Sequence, residues 1–472
     1  MSSSKGSQSL IRRHRGKIIV STAVVATIFT TGSICIYLIK RWLYKQQLKI
    51  TEQHFIREQI RRRFTQTQQD SLYALYELLP VYSLVLTKDL DLEKLVVALR
   101  DKKSNRTVQD SVSTNADTAT GGSIANIDTA QSDLVLVPSA ILDDRINQMS
   151  KADLWNELKL KSLVKLILIS YSIPSLLLLT RLQLNILTRR EYLETAVNVA
   201  IENESKKSNG LSSLFSWIGD WISQSDSNID NARDLTKLKE TPKSISTYTN
   251  EQAFLSLSWW LINKGWLDCT EIIEEHVNKE FGDLKPKDSI TLTELSNRLT
   301  KIYHSINKQL LNPSGTNDLQ EDPTQIKNRI GSILLPDAAS KNFVLQQTMD
   351  QDALDILNED SKVLDQLITE TSQYINNTQS LVVLESLINE SFQYIMDNLE
   401  DKILKRNKGK DGSPANPDKK FQLALIAMSC KDCCHDMLRA DPSSAENEYL
   451  IRINTLSTLD DLSASVYSNF DF

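Results

Sequence analysis

The sequence predicts an all-α protein: an elongated helical bundle behind an N-terminal single-pass transmembrane helix, interrupted by disordered polar insertions. Three observations predict it. No stretch alternates apolar and polar residues with period two between turn signals, so strands are not expected. Apolar residues recur at helical spacing over most of the 472 residues. The remaining long stretches are too polar to bury a core, notably 101–133 and 203–247.

The N-terminal 17 residues carry Lys5, Arg12, Arg13, Arg15 and Lys17 and no acid. From Ile18 to Ile39 follow 22 residues without a charge. At about 1.5 Å per residue this is a helix of about 33 Å, enough to cross a hydrocarbon core. Lys40, Arg41, Trp42 and Tyr44 follow, groups that anchor at a membrane interface. A cleavable signal would have a shorter apolar region ending at a small-residue cleavage site. Both flanks are basic, so charge does not set the orientation.

Residues 46–472 are expected as one helical domain. A long helix over 45–79 ends at Pro80, with Arg61, Arg62 and Arg63 on a solvated or salt-bridged face or, alternatively, against anionic lipid headgroups. A second helix covers 89–100. The Asp89-Leu90-Asp91 triplet has the spacing of a metal-binding DxD, but acids also favour a helix start, which is the plainer reading. Ser150 and Asp153 have capping-box spacing. They open a stretch in which the apolar residues soon run all the way round the helix. Between Lys165 and Arg181 lie 15 uncharged residues, short of a membrane span, with Pro174 among them. Two buried helices, 152–172 and 175–201, broken or kinked at the proline, are expected. Within the next polar insertion, Leu214, Trp217, Ile218 and Trp221 sit at i, i+3, i+4 and i+7, one helix face. That face suits a satellite helix packed on the body, a membrane surface or a partner.

Residues 250–267 hold Trp259, Trp260 and Trp266, a density expected in a core. Helices follow at 268–281 and 290–310, then a breaker-rich segment over 312–337. Leu367–Ile375 (LITETSQYI) is echoed by Leu387–Ile395 (LINESFQYI), which reads as two similar amphipathic helices on one core. A basic loop, 405–420, precedes short helices to the end.

Charge and motifs narrow the function. Residues 1–63 hold 13 Lys+Arg and two acids, leaving 41 basic and 58 acidic residues, a net of −17, for the rest. An acidic body is unsuited to nucleic acid, while a basic end beside an apolar segment suits a membrane lipid surface. Five cysteines give no disulfide framework and favour a reducing compartment. Cys430, Cys433 and Cys434 resemble half a zinc site with no second pair, so they read as helix-face thiols and no metal is expected. There is no P-loop, GxGxxG, HExxH or GxSxG, so no cofactor is expected and docking is favoured over catalysis. Two rival classes stay open. One is a membrane-anchored tether or adaptor on endoplasmic reticulum or mitochondrial outer membrane. The other is a lumenal type II membrane enzyme, which the sequons at Asn105, Asn203, Asn376 and Asn389 permit.

Three stretches carry a resemblance to a known family: the basic cluster with its anchor at 12–40; RRRFTQTQQDSLYALYELLP with DLDLEKLVVALR; and KADLWNELKLKSLVKLILISYS followed by LLLLTRLQLNIL. The chain resembles the peroxin-3 family, integral membrane docking receptors of peroxisomes. SWWLINKGW looks like its fungal branch. The insertions 101–133 and 203–247 depart from the family pattern. The resemblance implies a short matrix-facing N-terminus, with Arg12, Arg13, Arg15 and Lys17 and the anchor acting as the targeting signal. It implies a cytosolic body that receives the import chaperone peroxin-19 carrying membrane proteins, on peroxisomes or on endoplasmic reticulum in transit. It also implies recruitment of inheritance and selective-autophagy adaptors. The central contact would be Trp155, with Lys151 and Leu158 beside it. The residues fit that role in their own right. Trp155 and Leu158, three apart, would share a face with Leu154 near it, offering an aromatic anchor to an amphipathic helix. Lys151, Lys159 and Lys161 would meet acids at the rim.

Overall fold

The computed structural model describes residues 57–112, 146, 148–205, 245–311, 329–408, 419–439 and 447–469. The expected targeting residues Arg12, Arg13, Arg15 and Lys17, the anchor 18–39 and the amphipathic stretch 211–222 lie outside them. The chain divides into two units, 1–66 and 67–472. In the first, residues 57–66 are helical, Arg61 and Arg62 are exposed, and Arg62 pairs with Glu58 at 3.3 Å.

The second unit opens with helix α1, residues 67–89. It does not end at Pro80 as expected. Pro80 lies on the exposed face, where solvent reaches the carbonyl left without a donor, so the helix continues. Helix α2, Leu92–Val112, also outruns its expected end at 100, because Lys102, Lys103, Arg106 and Gln109 are good helix formers. Asp91 caps it by accepting from the Lys94 backbone N–H at 3.0 Å. Asp91 of the DxD triplet is therefore a helix cap, while Asp89 closes α1.

Helix α3 runs unbroken over Lys151–Ser205 with Pro174 inside it, in place of the two helices expected. Every side chain from Ser162 to Gln183 is buried. The helix is surrounded by neighbours, so packing on all sides outweighs a proline cost of about 3 kcal/mol. By length and composition α3 is apolar enough to cross a membrane, but its apolar stretch is wholly buried inside the protein, as expected of a core element.

Most of the remaining helices pack on α3. Helix α4 (Ile245–Ser256) leads through Ser258–Trp260 and a π-helical turn, Leu261–Gly265, into α5 (Trp266–Phe281). Strand β1 (Ser289–Thr291) and helix α6 (Leu292–Leu310) follow. After them come α7 (Arg329–Leu334), α8 (Ala338–Thr348), α9 (Gln351–Glu359), α10 (Lys362–Ile375) and α11 (Thr378–Lys408). Strand β2 (Lys420–Gln422), α12 (Leu423–Met437), α13 (Glu448–Asn454) and α14 (Ser457–Ser468) complete the unit. α3 packs most extensively on α12, then on α5, α2, α14 and α11.

The two strands were not foreseen, because three residues are too short to show a period. They pair antiparallel, Ser289 with Gln422, Ile290 with Phe421 and Thr291 with Lys420. The ladder continues as Leu423 and Ala424 N–H donating to the Asp288 and Pro286 carbonyls at 2.9 Å each. These donors belong to the first turn of α12, whose Gln422 makes no side-chain cap, so a neighbouring backbone satisfies them.

The echoed segments fall on α10 and α11 and bury matching positions: Leu367, Thr371 and Ile375 in one, Leu387, Ser391 and Ile395 in the other. Thr371 and Ser391 each donate to the carbonyl four residues back, Leu367 and Leu387 respectively. Cys430, Cys433 and Cys434 face the core from α12, where burial pushes the Cys434 thiol up to about 12. They pack as small apolar groups.

Candidate docking site

The N-terminal end of α3 is fixed first by its cap. The Asp153 N–H donates to Ser150 Oγ at 3.2 Å, and that hydroxyl donates to the Asp153 carboxylate at 2.6 Å. The capping box places the first turn on a separate, smaller apolar cluster. Its buried members are Leu92, Leu95 and Leu99 of α2, Leu154 and Leu158 of α3, and Ala427 of α12. Lys431 of α12 pairs with Glu93 of α2 at 2.6 Å across it.

The five residues expected at the partner face separate here. Leu154 and Leu158 are fully buried, and they hold α3 to α2 and α12 instead of offering surface. Lys159 is also buried and is not at the rim. Its ammonium donates to the backbone carbonyls of Phe281, at 2.6 Å, and Leu284. Those carbonyls are at the C-terminal end of α5, so Lys159 caps a neighbouring helix where its dipole favours a cation. Burial pushes Lys159 below the ordinary lysine range, against smaller opposing pulls from Asp288 and Asp283. The sequence could not show this, because the capped end is more than a hundred residues away.

Lys151 is exposed and Trp155 is half-buried. Trp155 packs against the smaller cluster, as do the part-buried Val96, Ala98, Ile146, Met149 and Met428. Sequence reasoning missed these five. Val96 and Ala98 lie within the expected helix 89–100, Ile146 and Met149 just before the one expected from 152, and Met428 among the short helices expected at the end, and none stands out by residue type. A hollow borders this apolar rim, lined by Asp89, Asp91, Leu95, Ile146, Met149, Glu157 and Lys161. Lys161 pairs with Glu157 at 3.1 Å on its own helix. The hollow thus holds three carboxylates and one lysine, the reverse of the basic rim expected from Lys151, Lys159 and Lys161.

A prediction separates the two roles of the first turn. Lys159→Ala should destabilise the protein by about 2–4 kcal/mol, because one buried and one part-buried carbonyl lose the ammonium donor and the alkyl stem leaves a void. Chemical denaturation checks it. A loss below about 0.5 kcal/mol would return Lys159 to the surface.

The model of the peroxin-3 family matches residues 9–469. The chain is 43% identical over 478 residues to peroxisomal biogenesis factor 3 of Saccharomyces cerevisiae, spanning 100% of this chain and 98% of that protein. It is 42% identical over 495 residues to peroxisomal biogenesis factor 3 of Kluyveromyces lactis, spanning 98% and 99% respectively. With peroxisomal membrane protein PEX3 of Komagataella phaffii the identity is 30% over 486 residues, spanning 98% of both chains. A family match over nearly the whole length, with relatives aligned across theirs, places this chain in the peroxin-3 family.

Proposed function

We propose that this chain serves peroxisomal membrane biogenesis as a docking receptor, not as an enzyme. It sits in the peroxisomal membrane through residues 18–39, with its helical body in the cytosol. There it receives the import chaperone peroxin-19 through an amphipathic helix of that partner, at the N-terminal end of α3. The names of the relatives support the organelle and the process. The observation that carries the docking reading is Trp155: a large indole left half-buried in the first turns of α3, beside Leu154 and Leu158, which are sealed.

An aromatic side chain on a rigid helix, flanked by part-buried methionines, suits an apolar helix face. The contact surface is narrower than the spacing suggested. Trp155 is the anchor and Lys151 is the exposed charge of the expected set. Leu154, Leu158 and Lys159 act from beneath by holding α3 in place. The acids of the hollow favour a partner that brings basic residues to that side, which would raise the association rate more than the affinity.

Trp155→Ala in the full chain, purified in detergent, should raise the dissociation constant for peroxin-19 about 30-fold or more, which is about 2 kcal/mol. Its helicity should be unchanged. An unaltered constant removes Trp155 from the site. A fluorescent protein fused to residues 1–45 should reach peroxisomes, and delivery to endoplasmic reticulum or mitochondria instead would favour the tether. An unglycosylated body, accessible to protease on intact isolated organelles, would exclude the lumenal enzyme.

A further inference from the structure

The outer face of α4 and the turn after it carries Ile245 (74% exposed), Tyr248 (61%), the exposed Gln252, Leu255 (39%) and the half-buried Trp259. These positions advance by three and four residues in alternation, the spacing of a seam that a second helix covers. Phe343 of α8, 43% exposed, extends the stripe, with its ring edge-on to Trp259 at 5.9 Å between centroids. The helix cannot roll this stripe inward. Its other side is sealed by Thr249, Asn250, Ala253 and Phe254. Asn250 is tied to α10 and to the chain just ahead of it: its amide donates to the Asp360 carbonyl at 2.9 Å and its oxygen accepts from the Leu364 N–H at 3.0 Å.

We propose that residues 211–222 of this same chain, LSSLFSWIGDWI, dock as a helix on this stripe. Three observations select that occupant. Leu214, Trp217, Ile218 and Trp221, at i, i+3, i+4 and i+7, would make one apolar face of a helix, which needs a partner surface. The lengths match: the stripe from Ile245 to Trp259 is about 21 Å and a 12-residue helix about 18 Å, at about 1.5 Å per residue. The tether also reaches. The segment that carries the stretch ends directly at Ile245, leaving 22 residues after Ile222, about 70 Å if extended. Such a connection allows either helix direction. It also holds the stretch near the stripe at an effective concentration in the millimolar range, so a weak interface would be occupied.

The test places a photo-crosslinking phenylalanine derivative at Trp217 in the full chain in detergent, followed by digestion and mass spectrometry. Links within one chain to residues 245–259 or to Phe343 are expected. They should fall at least tenfold when Tyr248→Asp and Leu255→Asp are introduced together. Should the double variant lose its fold, Tyr248→Asp alone, at the more exposed position, serves the same purpose. Links to another surface of the body, links between two copies, no protein links, or links unaffected by the aspartates would overturn the proposal. The readout does not involve peroxin-19, so its failure leaves the docking role of Trp155 standing.

Discussion

Gly265→Ala should lower the stability of the body by about 3 kcal/mol or more, although alanine is the better helix former by about 1 kcal/mol. The reason is a backbone crossing. A β-carbon at 265 would lie 2.0 Å from the Ile333 carbonyl oxygen and 2.9 Å from its carbon. Both atoms belong to main chain, so no rotamer change relieves the clash and α7 must retreat. That helix is seated by Ile330, Ile333 and Leu334, all buried. Its Ser332 carbonyl also accepts from the Trp260 indole N–H at 2.9 Å, a bond worth about 1 kcal/mol that the retreat would break. The midpoint of chemical denaturation is the measurement. A variant as stable as the parent, or more stable, would show that α7 does not cross the glycine closely. Trp260→Phe, which removes the hydrogen bond alone, should cost only about 1 kcal/mol.

This glycine marks where sequence reasoning reached its limit. The three tryptophans around it predicted a core, and Trp266 is indeed buried. Trp259 and Trp260 are only half-buried, because the π-helical turn adds a residue and rotates the chain between them and Trp266. Nothing in SWWLINKGW announces such a turn, whose register is fixed by α7 from elsewhere in the chain. The same limit appears at Pro80 and Pro174. Proline is a local signal: packing on all sides overrides it at Pro174, and solvent reaching the freed carbonyl lets the helix continue at Pro80. What was legible was local and strongly periodic: the capping box at Ser150, the wholly buried middle of α3, and the two echoed helices. The docking site was legible in part. Trp155 stood out by type and position, and its environment did not. Which neighbours bury a leucine, or which carbonyl takes a lysine, depends on α2, α5 and α12, which are separated in sequence by tens to hundreds of residues.

Arg181→Met should be the costliest change within α3, about 3–5 kcal/mol, even though methionine fills similar space and removes a buried charge. The Arg181 side chain is almost fully buried, and burial lowers its affinity for its proton, opposed by the nearby Asp460 carboxylate. One guanidinium nitrogen donates to the Gln68 side-chain oxygen of α1 and to Asp460 of α14 at 3.2 Å. The other donates to Asn454 of α13 at 2.7 Å. A single planar group thus binds three elements to the core helix, a task that suits the fixed fork of arginine. Asp460 is not the source of the cost. Its side chain is 53% exposed, so solvent screens the pair, and Asp460→Asn should cost at most about 1 kcal/mol. The penalty comes from the half-buried side chains of Gln68 and Asn454, which lose their arginine donor, Gln68 keeping its contact with Asn185. That origin can be tested directly. Adding Asn454→Leu to Arg181→Met removes one stranded amide while leaving Gln68 to Asn185, and should recover about 1–2 kcal/mol of the loss. If the double variant is no more stable than the single one, the loss came from packing around residue 181 and not from the Asn454 hydrogen bond. If the single variant costs nothing, the three helices are held by their apolar contacts alone.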